Sequence, residues 1–282
     1  MIDNKKRKIK IFDIILGIFF IIICFLIIIP LWKILIDSFD LHTAYGLKLW
    51  PKKFGLDGYI SVFTNPTLYR PLMISVFTTL VGTVAGLSVA TLGAYVLIHQ
   101  DMPGRRFFST YLLFTMIFSG GMIPTYLVLR GLNITNTLWA VILPPAINVY
   151  NLILMRNFFE GIPKSLFEAA EIDGSSHMNT FFRLVLPLSK AALASIGLMF
   201  AVAYWNDYTN YRLYITDSGL YNFQMKLRSI MQGSDLPTAL GSATENTVKS
   251  ASIIVALIPF MIAYPFCQKY FVTGINVGAV KE

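Results

Sequence analysis

The chain has 282 residues, of which 55% are hydrophobic and only 13% charged, with a mean hydropathy of +0.63. Soluble domains carry roughly 25% charged residues, so the composition excludes disorder, fibrous repeats and an ordinary soluble enzyme, and it leaves a membrane protein. The net charge of +8 would suggest nucleic acid in a soluble chain; here it serves to orient the protein in a bilayer, and no nucleic-acid partner is expected.

In chain order, a basic N-terminus (residues 1–13) precedes a first span, Ile14 to Trp32, which is uncharged. Its apolar run exceeds the about 7–15 residues of a signal-peptide core and lacks a small-residue cleavage site, so it reads as a retained helix. Segment 33–70 is then a long loop. Further spans are expected at Pro71 to Ile98, Phe107 to Leu129, Ile134 to Met155, Ala191 to Asn206 and Ala251 to Cys267. Pro144 and Pro145 predict a kink in the fourth span, and Pro259 and Pro265 one in the sixth. Cys24 and Cys267 lie in apolar runs and read as small buried hydrophobes. In the second span Gly82, Gly86, Ala90 and Ala94 recur every four residues. That spacing places them on one face, where small side chains let another helix approach closely.

Orientation follows from basic residues in the loops. With the N-terminus inside, Lys5, Lys6, Arg7, Lys8 and Lys10 cluster before the first span. The later inner segments then hold Arg105, Arg106, Arg156, Lys164, Arg183, Lys190, Lys269 and Lys281. The total bias over the outer loops is modest, but the first cluster is dense, and both termini are expected in the cytoplasm. The outer loops 33–70 and 207–249 are long enough to carry function. The second contains Gly219, Gly233, Pro237 and Gly241 and is expected to be an irregular excursion.

No G-x-x-x-x-G-K-[ST] loop, H-E-x-x-H or C-x-x-C occurs. His42, His99 and His177 are scattered through predicted loops, so no metal site and no catalytic residue is expected. The cores of the six spans contain no Asp, Glu, Lys, Arg or His, which argues against an ion-coupled mechanism. A transporter of this kind needs an energy source on another chain. The rival readings are a secondary carrier or channel, which would need coupling charges or a polar pore, and a membrane docking protein.

The inner loop 156–190 reads RNFFEGIPKSLFEAAEIDGSSHMNTFFRLVLPLSK. Pro163 suits the first turn of a helix. Leu166, Ala169, Ala170 and Asp173 then share one face. Gly174 fits the left-handed position after a helix end, and Ser175 or Ser176 can cap a second helix that Pro187 stops. The result is two short helices joined by a tight turn, suited to docking into a partner's cleft. Downstream, Trp205, Asn206, Asp207, Tyr208, Asn210 and Tyr211 place aromatic faces beside amide and carboxylate groups. That mixture suits a sugar and equally suits anchoring at a membrane interface.

Glu168-Ala169-Ala170, Gly174 and Leu186-Pro187 together resemble the EAA motif of ABC importer permeases, with Ile162-Pro163 as its lead-in. Trp205-Asn206-Asp207 is similar to the W-N-[DE] signature of carbohydrate permeases, although no Pro follows it here. The ending Gln268-Lys269-Tyr270-Phe271-Val272, with Gly274, Gly278 and Lys281, resembles the tail of MalG-like subunits. Phe118 to Tyr126, reading FSGGMIPTY, resembles the LplC/YtcP-type branch, associated with complex or acidic oligosaccharides. The resemblance covers residues 10–282. It implies an all-α membrane protein with six transmembrane helices and the type I ABC importer permease fold, in which residues 71–267 form the core permease domain and 268–282 a cytoplasmic tail. It implies a bacterial cell (inner) membrane protein that works with a second, MalF-like permease, an ATPase dimer and an extracytoplasmic sugar-binding protein to import an oligosaccharide. This chain would hold no cofactor, ATP and Mg being bound by the partner ATPase. Glu168, Ala169, Ala170, Asp173, Gly174 and Pro187 would couple to the ATPase, and Gly274, Gly278 and Lys281 would reach its interface as a flexible tail. Trp205, Asn206, Asp207 and Tyr208 are candidates for the substrate path, and the loop after them would reach into the binding protein.

Overall fold

A computed structural model describes the backbone of residues 11–42, 46–233 and 242–279. Among these residues the protein is helical, apart from one isolated antiparallel bridge between Asp40 and Phe54. The chain divides into two units. One is built from α1 (Ile11–Phe39), α2 (Asp57–Thr64) and the beginning of α14 (Glu245–Ala279); the other holds α3 to α13 and the rest of α14. Residues just before α14 therefore group with the N-terminal elements.

In the first unit, α1 is apolar all round, and nearly every side chain from Phe12 to Trp32 is exposed. Such a helix suits a lipid surrounding, since none of the described residues covers it. Cys24, expected to be buried, is exposed for that reason. The helix runs past Trp32 to Phe39, with Lys33 and Asp37 paired one turn apart on its surface. The expected loop 33–70 is thus largely ordered. Leu41 N–H donates to the Lys53 carbonyl and Gly55 N–H to that of Phe39, both at 2.9 Å. Asp40 is buried and pairs with Lys48 at 2.6 Å. Burial pushes its carboxyl up, but Lys48 and the backbone N–H groups of His42, Lys53 and Lys52 outweigh that and hold it well below the usual carboxylate range. The Thr247 hydroxyl donates to the Asp40 carbonyl at 2.7 Å, fixing this segment to the start of α14.

The second unit is organised along α3 (Pro66–Ile98), on which α6 (Leu138–Ala146), α7 (Val149–Glu160) and α11 (Lys190–Trp205) pack. The small-residue face does what its spacing predicts. A Cβ on Gly82 would lie 2.5 Å from the Tyr204 ring, and one on Gly86 would lie 2.6 Å from the Phe200 ring. Ala90 and Ala94 are buried in the same core as Phe200, Tyr204, Ile196 and Met155.

Three helices are long and apolar enough to cross a membrane alone, Phe12–Phe39, Pro66–Ile98 and Glu245–Pro265, and three bent pairs raise the number to as many as six. The third expected span is broken. Helix α4 (Arg105–Ile117) and α5 (Met122–Gly131) meet at 116°, because Phe118 is extended and Gly121 takes φ +86°. In the fourth, α6 and α7 meet at 43° just after Pro144 and Pro145, as the prolines predict. Asn148 caps α7 by accepting the Asn151 N–H at 3.0 Å. The fifth joins the helical run His177–Leu188 to α11 at 83°. Alone, α11 has 16 residues, about 24 Å at 1.5 Å per residue, short of the ~30 Å hydrocarbon core.

Placing a methyl at Gly86 forces the buried Phe200 ring to move. Gly86→Ala is expected to cost about 1–3 kcal/mol and to lower the thermal midpoint of the purified protein. Gly17→Ala, where a Cβ meets nothing within 4 Å, should not lower it.

Candidate functional site

The segment read as a coupling loop folds into α8 (Lys164–Ile172), a turn, and the helical run α9 (His177–Thr180), a π-helical turn (Phe181–Val185) and α10 (Leu186–Leu188). Pro163 stands at the N-cap of α8, one position earlier than expected. Gly174 takes φ +69°. Its N–H donates to the Glu171 carbonyl at 3.0 Å, and the Ser175 N–H to that of Ala170 at 2.9 Å, which is the Schellman pair. The Ser176 hydroxyl caps α9 by accepting the Asn179 N–H at 3.3 Å. These three features were legible in the sequence.

Pro187 does not end the second helix. The preceding π turn, closed by the Leu186 N–H on the Phe181 carbonyl, widens the backbone ahead of the proline, and the helical path continues to Leu188 before breaking at Ser189. The structure also shows which face of α8 turns inward. Phe167 and Ala170 turn inward, Phe167 against the core, while Glu168, Ala169, Ile172 and Asp173 are exposed. Ile172 is 87% exposed, and Met178 and Phe182 are exposed on the next segment, so the outer surface of this element carries apolar side chains that none of the described residues covers.

A cleft of about 280 Å³ lies behind the turn, lined by Tyr95, His99, Phe167, Glu171, Gly174 and His177 among others. The Tyr95 hydroxyl donates to the His177 carbonyl at 3.0 Å, and its ring lies 5.0 Å from that of Phe181. These contacts tie the turn to the end of α3. The structure brings His99 and His177 to a ring separation of 5.1 Å, a pairing that their sequence separation concealed. Among the described residues, no group of three or more His, Cys, Asp or Glu is placed to hold a metal ion.

At the other end of α11, the aromatic and amide cluster is mostly inward and structural. Trp205 is buried and meets the Phe260 ring edge-on at 6.3 Å. Asn206 is exposed at the C-cap of α11. The Asp207 carboxylate accepts the Asn210 N–H and its side-chain amide, each at 3.0 Å, and so supports the start of α12 (Thr209–Tyr214). Burial pushes the Asp207 carboxyl up, and the hydrogen bonds from Asn210 offset part of this. The guanidinium of Arg228 lies 4.9 Å over the Tyr208 ring, a cation–π contact. Segment 207–249 is not the irregular excursion expected: it contains α12, a 3-10 turn (Ser218–Leu220) and α13 (Phe223–Met231) before α14 begins. The buried Tyr211 donates to Thr78 Oγ1 at 3.0 Å, and the Phe223 N–H to Ser75 Oγ at 2.8 Å, so both helices are fastened to α3. Residues 234–241, with Pro237 and Gly241, lie outside the described residues.

In place of the flexible tail suggested by Gly274 and Gly278, the backbone stays helical to Ala279. Lys281 lies outside the described residues.

Bent apolar spans, together with three helices long enough to cross a membrane alone, define a multi-pass membrane component. The chain belongs to the family of binding-protein-dependent transport system inner membrane components, whose sequence pattern matches residues 82–277. It is 41% identical to the polygalacturonan/rhamnogalacturonan transport system permease protein YtcP of Bacillus subtilis (strain 168), over 97% of this chain and 99% of that protein. It is also 41% identical to protein LplC of the same organism, over 90% of this chain and 89% of that protein. A solved bacterial ABC transporter involved in importing the acidic polysaccharide alginate contains a chain that superposes with a TM-score of 0.85. That chain is 30% identical, and the match covers 93% of this chain and 96% of that one. The resemblance to carbohydrate ABC permeases read from the motifs is therefore upheld.

A Cβ on Gly174 would meet nothing within 4 Å, so substitution there strains only the backbone, by about 1–2 kcal/mol, and added bulk causes no clash. Gly174→Val is expected to weaken the turn and Gly174→Asn much less, since Asn tolerates the left-handed region. Limited proteolysis of the turn, compared at equal expression, checks this order. For Asp207, loss of the cap in Asp207→Ala should cost about 1 kcal/mol, whereas Asp207→Asn keeps the acceptor. Because the folded carboxyl titrates above its unfolded value, the charged form is disfavoured by folding. The wild type should therefore lose stability relative to Asp207→Asn as pH rises through that raised value, a trend that thermal melts of the two proteins across acidic to neutral pH would read.

Proposed function

We propose that this chain is one of two transmembrane permeases of an ATP-driven oligosaccharide importer in a bacterial cell membrane, with six spans and both termini in the cytoplasm. The observation that carries the reading is the α8–α9 turn. It presents Glu168, Ala169 and Ile172 outward while Phe167 and Tyr95 hold its inner side to the core. Exposed apolar side chains on a fixed turn suit insertion into a groove on a cytoplasmic ATPase, with Glu168 available to a basic partner. Movement of the docked turn would be passed to α3 and α11 through the contacts at Tyr95 and Phe181. The membrane then opens alternately to either side, as one two-state element. This chain makes and breaks no bond of ATP or of the sugar.

The cargo we propose is an acidic oligosaccharide. Polygalacturonan and alginate, named for two of the relatives, both carry uronate carboxylates. At the end of α11 away from the turn, Arg228 lies over Tyr208, and Gln224 donates to Asn206 at 3.5 Å; these residue types are able to meet a carboxylate and sugar hydroxyls.

The test is to reconstitute the chain with its partner permease, ATPases and binding protein, and to screen oligosaccharides for stimulation of ATP hydrolysis. Uronate oligosaccharides are expected to stimulate and neutral ones of equal length much less. Arg228→Gln should reduce that stimulation about tenfold or more, as the loss of a charge-assisted contact of ~1.5–3 kcal/mol implies, while basal hydrolysis stays the same. Stimulation by neutral sugars alone would overturn the acidic cargo, and absence of any ATPase association would overturn the importer reading.

A further inference from the structure

The turn that follows α3, the first turns of α4 and the end of α7 line an open surface pocket of about 580 Å³ that the proposed transport mechanism does not use. Its lining residues include Arg105, Arg106, Arg156, Ser109, Thr110 and Leu113. One carboxylate serves these charges. Glu160 accepts from Arg156 at 2.9 Å and from Arg105 at 3.5 Å. Arg156 also donates to Ser109 Oγ at 3.3 Å, and Arg105 Nε to the Leu97 carbonyl at 2.7 Å. Two of the three arginines therefore share one carboxylate, and Arg106 is exposed with no acceptor among the described residues. Helix α4 begins at the pocket from Gly104 in the left-handed conformation, with no side-chain cap, so its first N–H groups add partial positive charge there.

The surface beside the pocket is of the opposite kind. No residue of α4 is buried, and Phe107, Phe108, Tyr111 and Phe114 present aromatic faces starting one residue after Arg106. Charge next to a bare aromatic helix fits a molecule with an anionic head and an apolar body. We propose that this pocket binds the phosphate of an anionic phospholipid, with the acyl chains lying along α4. Basic pockets between spans at a membrane surface take such headgroups, and planar guanidiniums match phosphate oxygens in pairs. A free anion would gain nothing from the aromatic surface. The inference rests on the membrane placement of α4 given above and is independent of the cargo.

The complete importer, placed in nanodiscs that mix phosphatidylglycerol with phosphatidylcholine, provides the test, with the lipid retained after release into mild detergent counted by native mass spectrometry. Phosphatidylglycerol should be retained over phosphatidylcholine. Arg106→Gln should lower that retention about fivefold, the change expected from losing one basic contact to an anionic lipid surface, and Arg106→Lys should restore most of it. Equal retention of the two lipids by the wild type would overturn the proposal without recourse to any variant, as would unchanged retention in Arg106→Gln. Displacement of phosphatidylglycerol by inorganic phosphate alone would also overturn it, assigning the pocket to free anions. Sugar-stimulated ATP hydrolysis in the same nanodiscs reports separately on transport, so failure of the lipid site and failure of the importer reading give different results.

Discussion

The close approach of α11 to α3 is the constraint on which the second unit depends. It exists because Gly82 and Gly86 leave room for the rings of Tyr204 and Phe200, which a single methyl would displace. In a bilayer, lipid tails are as apolar as Leu, so helices gain little by hiding apolar surface from one another, and dispersion contacts across a close interface take over as the cohesive force. Two aromatic rings seated on bare backbone give a large contact area of this kind. Once α11 is set, the Tyr204 hydroxyl reaches the Ile142 carbonyl at 2.7 Å, and this fixes α6 at the turn containing its prolines.

The two ends of that helix pair then acquire different characters. At one end polar groups are satisfied inside the protein: Tyr211 with Thr78, Phe223 N–H with Ser75, and Asn222 with the Asp207 carbonyl. An unpaired donor in an apolar setting costs about as much as a lost hydrogen bond, so these pairs fasten α12 and α13 to α3. At the other end the chain leaves apolar side chains uncovered on α8 and the helix after it, while Tyr95, Phe167 and Phe181 hold the inner side. The π turn at 181–185 sits between this element and α11, where a wide turn lets a proline remain within a helical run.

The three bent pairs belong to the same physics. A helix can break inside a membrane protein only where protein or a cavity meets the freed backbone groups. Asn148 does this at the start of α7. At the junction of α4 and α5 the backbone depends instead on Gly121, whose φ of +86° is open to glycine at no steric cost, and the 116° bend carries the chain sharply away from its first direction.

The sequence by itself determined the membrane class, since no soluble core has this composition. It also determined the small-residue face of α3, the kink after Pro145, and the helix–Gly174–helix turn, because each rests on a local rule: residue period, a missing N–H, a left-handed φ. Only the tertiary structure decided which face of α8 is buried, since the pattern of Leu166, Ala169 and Ala170 cannot say that Phe167 has a core to enter. The same holds for Asp207 and Trp205. Their residue types suit a sugar or an interface equally, and the structure alone seats Trp205 against the distant Phe260 and turns the Asp207 carboxylate onto Asn210. The arginine pocket was invisible for the same reason, for Arg156 lies some fifty residues from Arg105 and Arg106, and the packing of α4 on α7 alone brings their charges together.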